Sequence, residues 1–157
     1  MEILFTKTGK EDHVFSCKRE DGSVTWKQGS SFFILHDLCH FAVETVMQLK
    51  NAFYGMVETG TDISDFDLPK EQRNFQITNE AIFAEHLVNL LVIEYTQGRM
   101  ENLIEIFNGV YEEHGGQNES PVITDKSLEQ IRILYHDLIH QWSVLPLNET
   151  LSLQFAK

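Results

Sequence analysis

His13-Val-Phe-Ser-Cys-Lys-Arg-Glu-Asp-Gly-Ser-Val-Thr-Trp-Lys27 carries the signature of a β-hairpin. Two runs rich in β-branched and aromatic residues, 13–18 and 24–27, flank Glu20-Asp21-Gly22-Ser23. Asp-Gly between such runs is a strong hairpin signal, because both central positions of a type I′ turn need φ > 0. Upstream, Ile3 to Thr8 forms another strand-like run, separated from His13 by a turn at Gly9-Lys10 and the acidic pair behind it. The expectation is a three-stranded antiparallel meander. Its inner face cannot be buried by the meander alone, so helices must cover it.

Those helices follow in order. Ser30 or Ser31 can cap a first helix that runs to about Lys50. Residues Asn51 to Gln76, with Gly55, Gly60 and Pro69, read as irregular. A second helix is expected from Asn79, behind a Thr78 cap, to Gln97, with Gly98 as its stop. A third spans Met100 to Glu113 and ends at Gly115-Gly116. A fourth opens at Thr124 or Ser127 and reaches about Trp142, with Pro146 beyond it. Thr150 to Phe155 then alternates like a strand, and an unpaired terminal strand is a liability, so it is expected to join the meander. The fold class is therefore α+β: one antiparallel sheet of about four strands covered by about four helices. No linker, repeat or low-complexity tract divides residues 1–157, which read as a single domain.

The chain has 24 acidic and 12 basic residues, a net charge of −12 that opposes nucleic-acid backbones and anionic membranes. Its apolar runs, such as Phe32-Phe33-Ile34-Leu35, fall far short of the ~20 residues of a membrane span. The start, Met1-Glu2-Ile3-Leu4-Phe5, lacks the basic and apolar regions of a signal peptide, so a cytoplasmic protein is expected. Cys17 and Cys39 are then expected as buried thiols.

The chemistry concentrates in His36-Asp37-Leu38-Cys39-His40-Phe41-Ala42-Val43-Glu44. Residues four apart on a helix stand one above the other, so His36 and His40 can reach one divalent metal, zinc or another transition ion. At 100° per residue, His36, Asp37, His40, Glu44 and Gln48 form a polar stripe beside an apolar face, which places them at the edge of the core. Asp37 stands where the zincin motif His-Glu-x-x-His has its glutamate, one methylene shorter. Glu44, eight residues from His36, suits a base or an acceptor behind His40. On the second helix Glu85 falls within the apolar stripe Ala81, Ala84, Val88, Leu91, Val92 and Tyr95, which makes it the first choice for a third ligand and predicts that it is buried. Glu94 is expected on the far side, and His86 at the surface. The alternative for Glu85 is an ion pair with Arg73, Arg99 or Arg132.

Two function classes follow. One is a zincin-like metal-dependent hydrolase with ligands His36, His40 and Glu85, and Asp37 or Glu44 in catalysis. The other is a non-catalytic binding or interaction domain in which the stripe is structural. His136-Asp137-Leu138-Ile139-His140 repeats the spacing on the fourth helix; it is either half of a four-histidine site or coincidence, and coincidence is the expectation. Asp62, Asp65 and Asp67 form an acidic loop without the glycine and closing glutamate of an EF-hand, and are expected as a solvated turn.

The stretch Phe33 to Glu44, the segment Phe53-Tyr54-Gly55-Met56-Val57-Glu58-Thr59-Gly60, and the end, Trp142-Ser143-Val144-Leu145-Pro146 leading to Leu151–Phe155, resemble a family of small uncharacterised bacterial proteins. That family shows Leu-Pro-His-Asp-Leu-x-His-(Phe/Tyr)-x-Val-Glu, then an aromatic-glycine segment and a terminal Trp-x-x-Leu-Pro. The resemblance implies His36, Asp37, His40 and Glu44 as motif positions and supplies no activity. This chain departs from the pattern at Ile34-Leu35, where a proline often precedes the histidine.

Overall fold

In the computed structural model, which describes residues 1–9, 11–113 and 121–156, the chain forms a four-stranded antiparallel sheet with helices packed on it. Lys10 of the expected Gly9-Lys10 turn and the expected helix stop at Gly115-Gly116 lie outside the described residues. The strands are β1 (Glu2–Thr6), β2 (Asp12–Lys18), β3 (Val24–Ser30) and β4 (Thr150–Gln154), in the order β3-β2-β1-β4. The meander and the returning terminal strand are both present, and β4 pairs antiparallel with β1. The register aligns Ile3 with Cys17 and Leu153, and Phe5 with Phe15 and Leu151. These alternate residues turn one face inward. On β3 the inward positions of this face are Thr25, Lys27 and Gly29, paired opposite Cys17, Phe15 and His13. Two of them are polar and one has no side chain, so the core thins beneath this edge of the sheet, where the cavity described below opens.

The hairpin differs from a type I′ turn. Arg19 N–H donates to the Ser23 carbonyl and Gly22 N–H to the Arg19 carbonyl, and only Gly22 has positive φ, at 83°. This is a three-residue loop, Glu20-Asp21-Gly22, with the left-handed residue closing it. The Asp21 carboxylate accepts the Ser23 N–H at 2.8 Å and thereby fixes the loop.

Among the described residues five helices accompany the sheet: α1 (Ser31–Met47), α2 (Phe53–Glu58), α3 (Asn79–Gln97), α4 (Leu103–Glu113) and α5 (Asp125–Val144). α1 is central, packed against β2, β3, α2, α3 and α5. It ends before Lys50 because Gln48 turns left-handed (φ 55°), letting Leu49 N–H reach the Glu44 carbonyl. α3 keeps its expected bounds, with the Thr78 hydroxyl accepting Ala81 N–H. α4 starts three residues later than expected. Met100 N–H is held by the Glu94 carboxylate, and Met100 carbonyl by Arg132, so the chain cannot yet coil there. Thr124 and Ser127 form a reciprocal cap on α5.

The short helix α2 lies in the segment expected to be irregular. Its third residue, Gly55, sits against the backbone of Lys50: a Cβ there would lie 2.0 Å from the Lys50 carbonyl oxygen. That glycine allows a close helix contact, whereas in the sequence it reads as a loop signal. No helix among the described residues is long and apolar enough to cross a membrane. Cys17 and Cys39 are free and buried, and burial pushes the Cys17 thiol up to about 12.

Candidate metal centre

The polar stripe of α1 does not stay at the edge of the core. His36 and Asp37 are half-buried and Gln48 is exposed, but His40 and Glu44 between them are 4% and 1% exposed, because α2 closes over the middle of the stripe. The Glu44 carboxylate serves two groups there. One oxygen accepts from His40 Nδ1 at 3.1 Å, and the other accepts the Tyr54 N–H at 2.9 Å. Tyr54 is an early residue of α2, whose first-turn N–H has no partner within the helix. Glu44 therefore caps α2 and orients His40 in one arrangement. Tyr54 in turn donates its hydroxyl to the Asp37 carbonyl at 2.8 Å.

From the opposite side α3 brings in Glu85. Its carboxylate oxygens lie 3.1 Å from His40 Nε2 and 3.6 Å from His36 Nε2. One ligand atom each from His36, His40 and Glu85 fall within 4.8 Å of one another. His36 Nδ1 faces the Asp37 carboxylate at 3.6 Å. Both imidazoles thus point Nε2 at the same carboxylate while a second carboxylate stands behind each ring.

Glu85 is not buried as the sequence implied. Its side chain is 51% exposed, and it reaches the histidines from the open side of α3. The core face of that helix is carried by Phe83, Ala84, Leu87, Val88, Leu91 and Val92, which leaves Glu85 and Tyr95 at its exposed margin. This turn of the helix brings Glu94 inside, contrary to expectation. Glu94 is 8% exposed and takes both Nε and Nη2 of Arg132, at 2.8 and 2.6 Å. The arginine that could have claimed Glu85 is committed elsewhere. Arg99 pairs with Glu129, and Arg73 donates to backbone carbonyls.

The electrostatics follow from this geometry. Burial alone would lower the His40 pKa, but the hydrogen bonds and charges of Glu44 and Glu85 outweigh it and push it up to about 9. Burial opposes protonation of His36 too, and Asp37 with Glu85 again prevails, so its pKa rises. The two histidines hold the Glu85 carboxyl well below the usual carboxylate range. Burial raises the Glu44 pKa, with His40 and the Tyr54 N–H pulling the other way.

The group opens on a cavity of about 480 Å³, a volume within the range of small-molecule sites. Phe33, Ile34, Phe53, Phe66, Ile77 and Ile82 supply its apolar lining; His36, Asp37, His40 and Glu85 stand on one wall. Lys27, Asp67, Arg73 and His86 complete the polar lining. His86 is half-buried rather than at the surface, with its ring 6.2 Å from that of Tyr111. Glu44 does not line the cavity.

The second histidine pair is elsewhere. His136 and His140 are exposed on α5, and neither borders this cavity nor belongs to the ligand group. The acidic loop forms a short 3₁₀ turn, Ile63–Asp67, and two of its three carboxylates are paired: Asp62 with Arg19 at 3.0 Å and Asp67 with Lys27 at 2.6 Å. What the sequence did not reveal is the cavity wall supplied by Lys27, Arg73 and His86. These residues come from β3, the 68–78 connection and α3, and no local pattern links them.

Comparisons of the chain with protein families, with curated proteins and with solved structures return no match.

Proposed function

We propose that the protein is a metal-dependent hydrolase whose His36, His40 and Glu85 hold a divalent transition metal, zinc by preference, on the wall of the 480 Å³ cavity. One observation carries this reading: two Nε2 atoms converge on one carboxylate, and each Nδ1 faces a carboxylate of its own. Paired carboxylates behind ligating histidines fix the tautomer and raise ligand basicity. Two histidines and a glutamate are the donor set of zinc hydrolases that keep a coordination position for water. Such a metal lowers the pKa of bound water towards neutrality and polarises a carbonyl.

The chain's own groups divide the remaining work. Asp37 borders the cavity but stands on the Nδ1 side of His36, away from the Nε2 that would meet the metal, so it orients that ring. Glu44 is a positioning residue, since its two oxygens are committed to His40 and Tyr54. The apolar wall would hold the body of a small substrate against the reacting position.

A second reading rests on the same contacts. The direct His40–Glu85 bond closes the cluster on itself, as in a structural ion pair, and the cavity would then serve a binding domain without catalysis. Elemental analysis of untagged protein dialysed against zinc separates the two. The hydrolase reading expects about one zinc per chain, lost in His36→Ala/His40→Ala and in Glu85→Ala, with zinc-dependent cleavage of p-nitrophenyl acyl esters. Bound zinc without cleavage favours the binding domain; no stoichiometric zinc removes the metal site.

A further inference from the structure

We infer that the cavity selects small amphipathic molecules bearing an anionic oxygen group, a carboxylate above all, and that Arg73 is the residue that recognises it. The inference rests on the cavity; only the reading of its ligand as a substrate rests on the proposed metal site beside it.

Arg73 sits in the cavity wall, half-buried, in a chain with twice as many acidic as basic residues. Among the described residues no carboxylate pairs with it. Its partners are two backbone carbonyls: Nε donates to Leu68 at 2.8 Å and Nη2 to Phe66 at 2.9 Å. A guanidinium has five N–H groups in a rigid fork. These two bonds use the Nε–Nη2 edge and anchor the plane to the loop. Both hydrogens of Nη1 and the second of Nη2 remain, which is the edge that meets a carboxylate or phosphate with two parallel bonds.

The neighbouring charges do not compete for that edge. Lys27 and Asp67, on the same wall, neutralise each other at 2.6 Å, and Lys27 also lies 4.9 Å above the Phe33 ring. Asp37 and Glu85 face the histidines. Arg73 is thus the one cation of this wall whose charge no described side chain balances. Two apolar rings join it to the histidines: Phe53 lies 5.5 Å from the His40 ring and 4.8 Å from that of Phe66, whose carbonyl Arg73 holds. A ligand that satisfies the whole cavity has an apolar body and an anionic end. In a hydrolase this describes an acylated amino acid or a similar small amide or ester acid, with the carboxylate held away from the bond that is cut.

The test uses 6-phenylhexanoate and its uncharged analogue 6-phenylhexan-1-ol as probes, titrated calorimetrically into the metal-free and the zinc-loaded protein. The metal-free chain is expected to bind the acid at least ~10-fold more tightly than the alcohol. Arg73→Gln should erase that preference and leave alcohol affinity unchanged, and Arg73→Lys should restore part of it. Because Arg73 also ties down its own loop, melting curves of both variants accompany the titrations. If Arg73→Gln does not fold, the acid-over-alcohol preference in wild type and its partial survival in Arg73→Lys decide the matter. His36→Ala/His40→Ala should keep the preference. Equal binding of acid and alcohol, no binding of either, or a preference that follows the histidines or zinc instead of Arg73 overturns the inference. Loss of zinc binding with an intact Arg73-dependent preference would instead remove the hydrolase reading and leave recognition standing.

Discussion

Protons and metal should compete for His40, and the structure sets the size of that competition. In the metal-free chain this imidazole lies between two carboxylates and its pKa is pushed up to about 9. A metal ligand must be neutral at the coordinating nitrogen. At pH 7 only about 1 in 100 of these side chains is neutral, so proton loss weakens apparent zinc affinity about 100-fold, or ~3 kcal/mol. The affinity should rise about tenfold per pH unit between pH 6 and 8, and more steeply at the acid end as His36 joins. Calorimetric titration of zinc in buffers of different ionisation enthalpy gives both the slope and the proton count, expected to be at least about one released per zinc at pH 7. The metal-free protein should show the opposite trend in stability. A raised folded pKa contributes fully below the ordinary 6.5 of histidine and is lost as pH rises through about 9, so its melting temperature should fall across that window. Zinc affinity independent of pH, with no protons released, would refute the assignment of His40 as a ligand.

Four other outcomes are expected. Gly22→Val should cost roughly 1 kcal/mol or more by urea denaturation, all of it from the positive φ, since a Cβ there meets nothing within 4 Å. Glu94→Ala should cost about 3 kcal/mol, because it strips buried Arg132 of two short charged hydrogen bonds and leaves only the longer charged pairing with Glu129 at 3.6 Å, and Glu85→Ala should cost clearly less while removing zinc binding. Gly55→Ala should destabilise by at least ~1–3 kcal/mol, since the new methyl overlaps the Lys50 carbonyl, and should weaken zinc binding by shifting the Tyr54 N–H that holds Glu44. His136→Ala/His140→Ala should leave zinc stoichiometry unchanged, as both side chains are exposed and remote from the ligand group.

Legibility in the sequence followed locality. The strands, the bounds of α3 and the cap of α5 rest on neighbouring residues such as Thr78, Gly98 and Thr124, and these were readable. α2 was not, because the acceptor for its Tyr54 N–H is Glu44, ten residues away on another helix. The face that α3 buries also depends on distant partners. Phe83 packs on Phe107 at 4.9 Å and Leu87 is fully buried, so the core arc is wider than the stripe counted from Ala81. That stripe puts Glu85 inside the core face. Glu85 meets the histidines from the margin instead, while the carboxylate that does enter the core is Glu94. The pairing of His36 with His40 needed only helical spacing; the carboxylate behind each ring divides the two cases. Asp37 adjoins His36 in sequence, whereas the hold of Glu44 on His40 depends on α2.

The burial of Glu44 bears on why the cluster exists. A carboxylate that is 1% exposed carries a desolvation penalty of several kcal/mol, and the His40 beside it adds another. Replacing such a pair by apolar residues of similar volume is often neutral or stabilising, so stability alone is a poor reason to build it. The arrangement gains a fixed ring: with Nδ1 bound to Glu44, His40 can present only Nε2 to Glu85 and the cavity. Glu44 is itself fixed by the first turn of α2, and α2 by the contact of Gly55 with Lys50. Orientation therefore passes from a backbone contact to a carboxylate to an imidazole. A merely structural ion pair has no need of such control, while a metal ligand depends on it. The consequence can be measured on Glu44→Gln. An amide keeps the shape and one hydrogen bond but lowers the basicity of His40, so zinc affinity should drop by about 10-fold or more while the fold is retained. If the chain instead bound zinc as before and changed only in melting temperature, Glu44 would be a structural cap of α2 and nothing more.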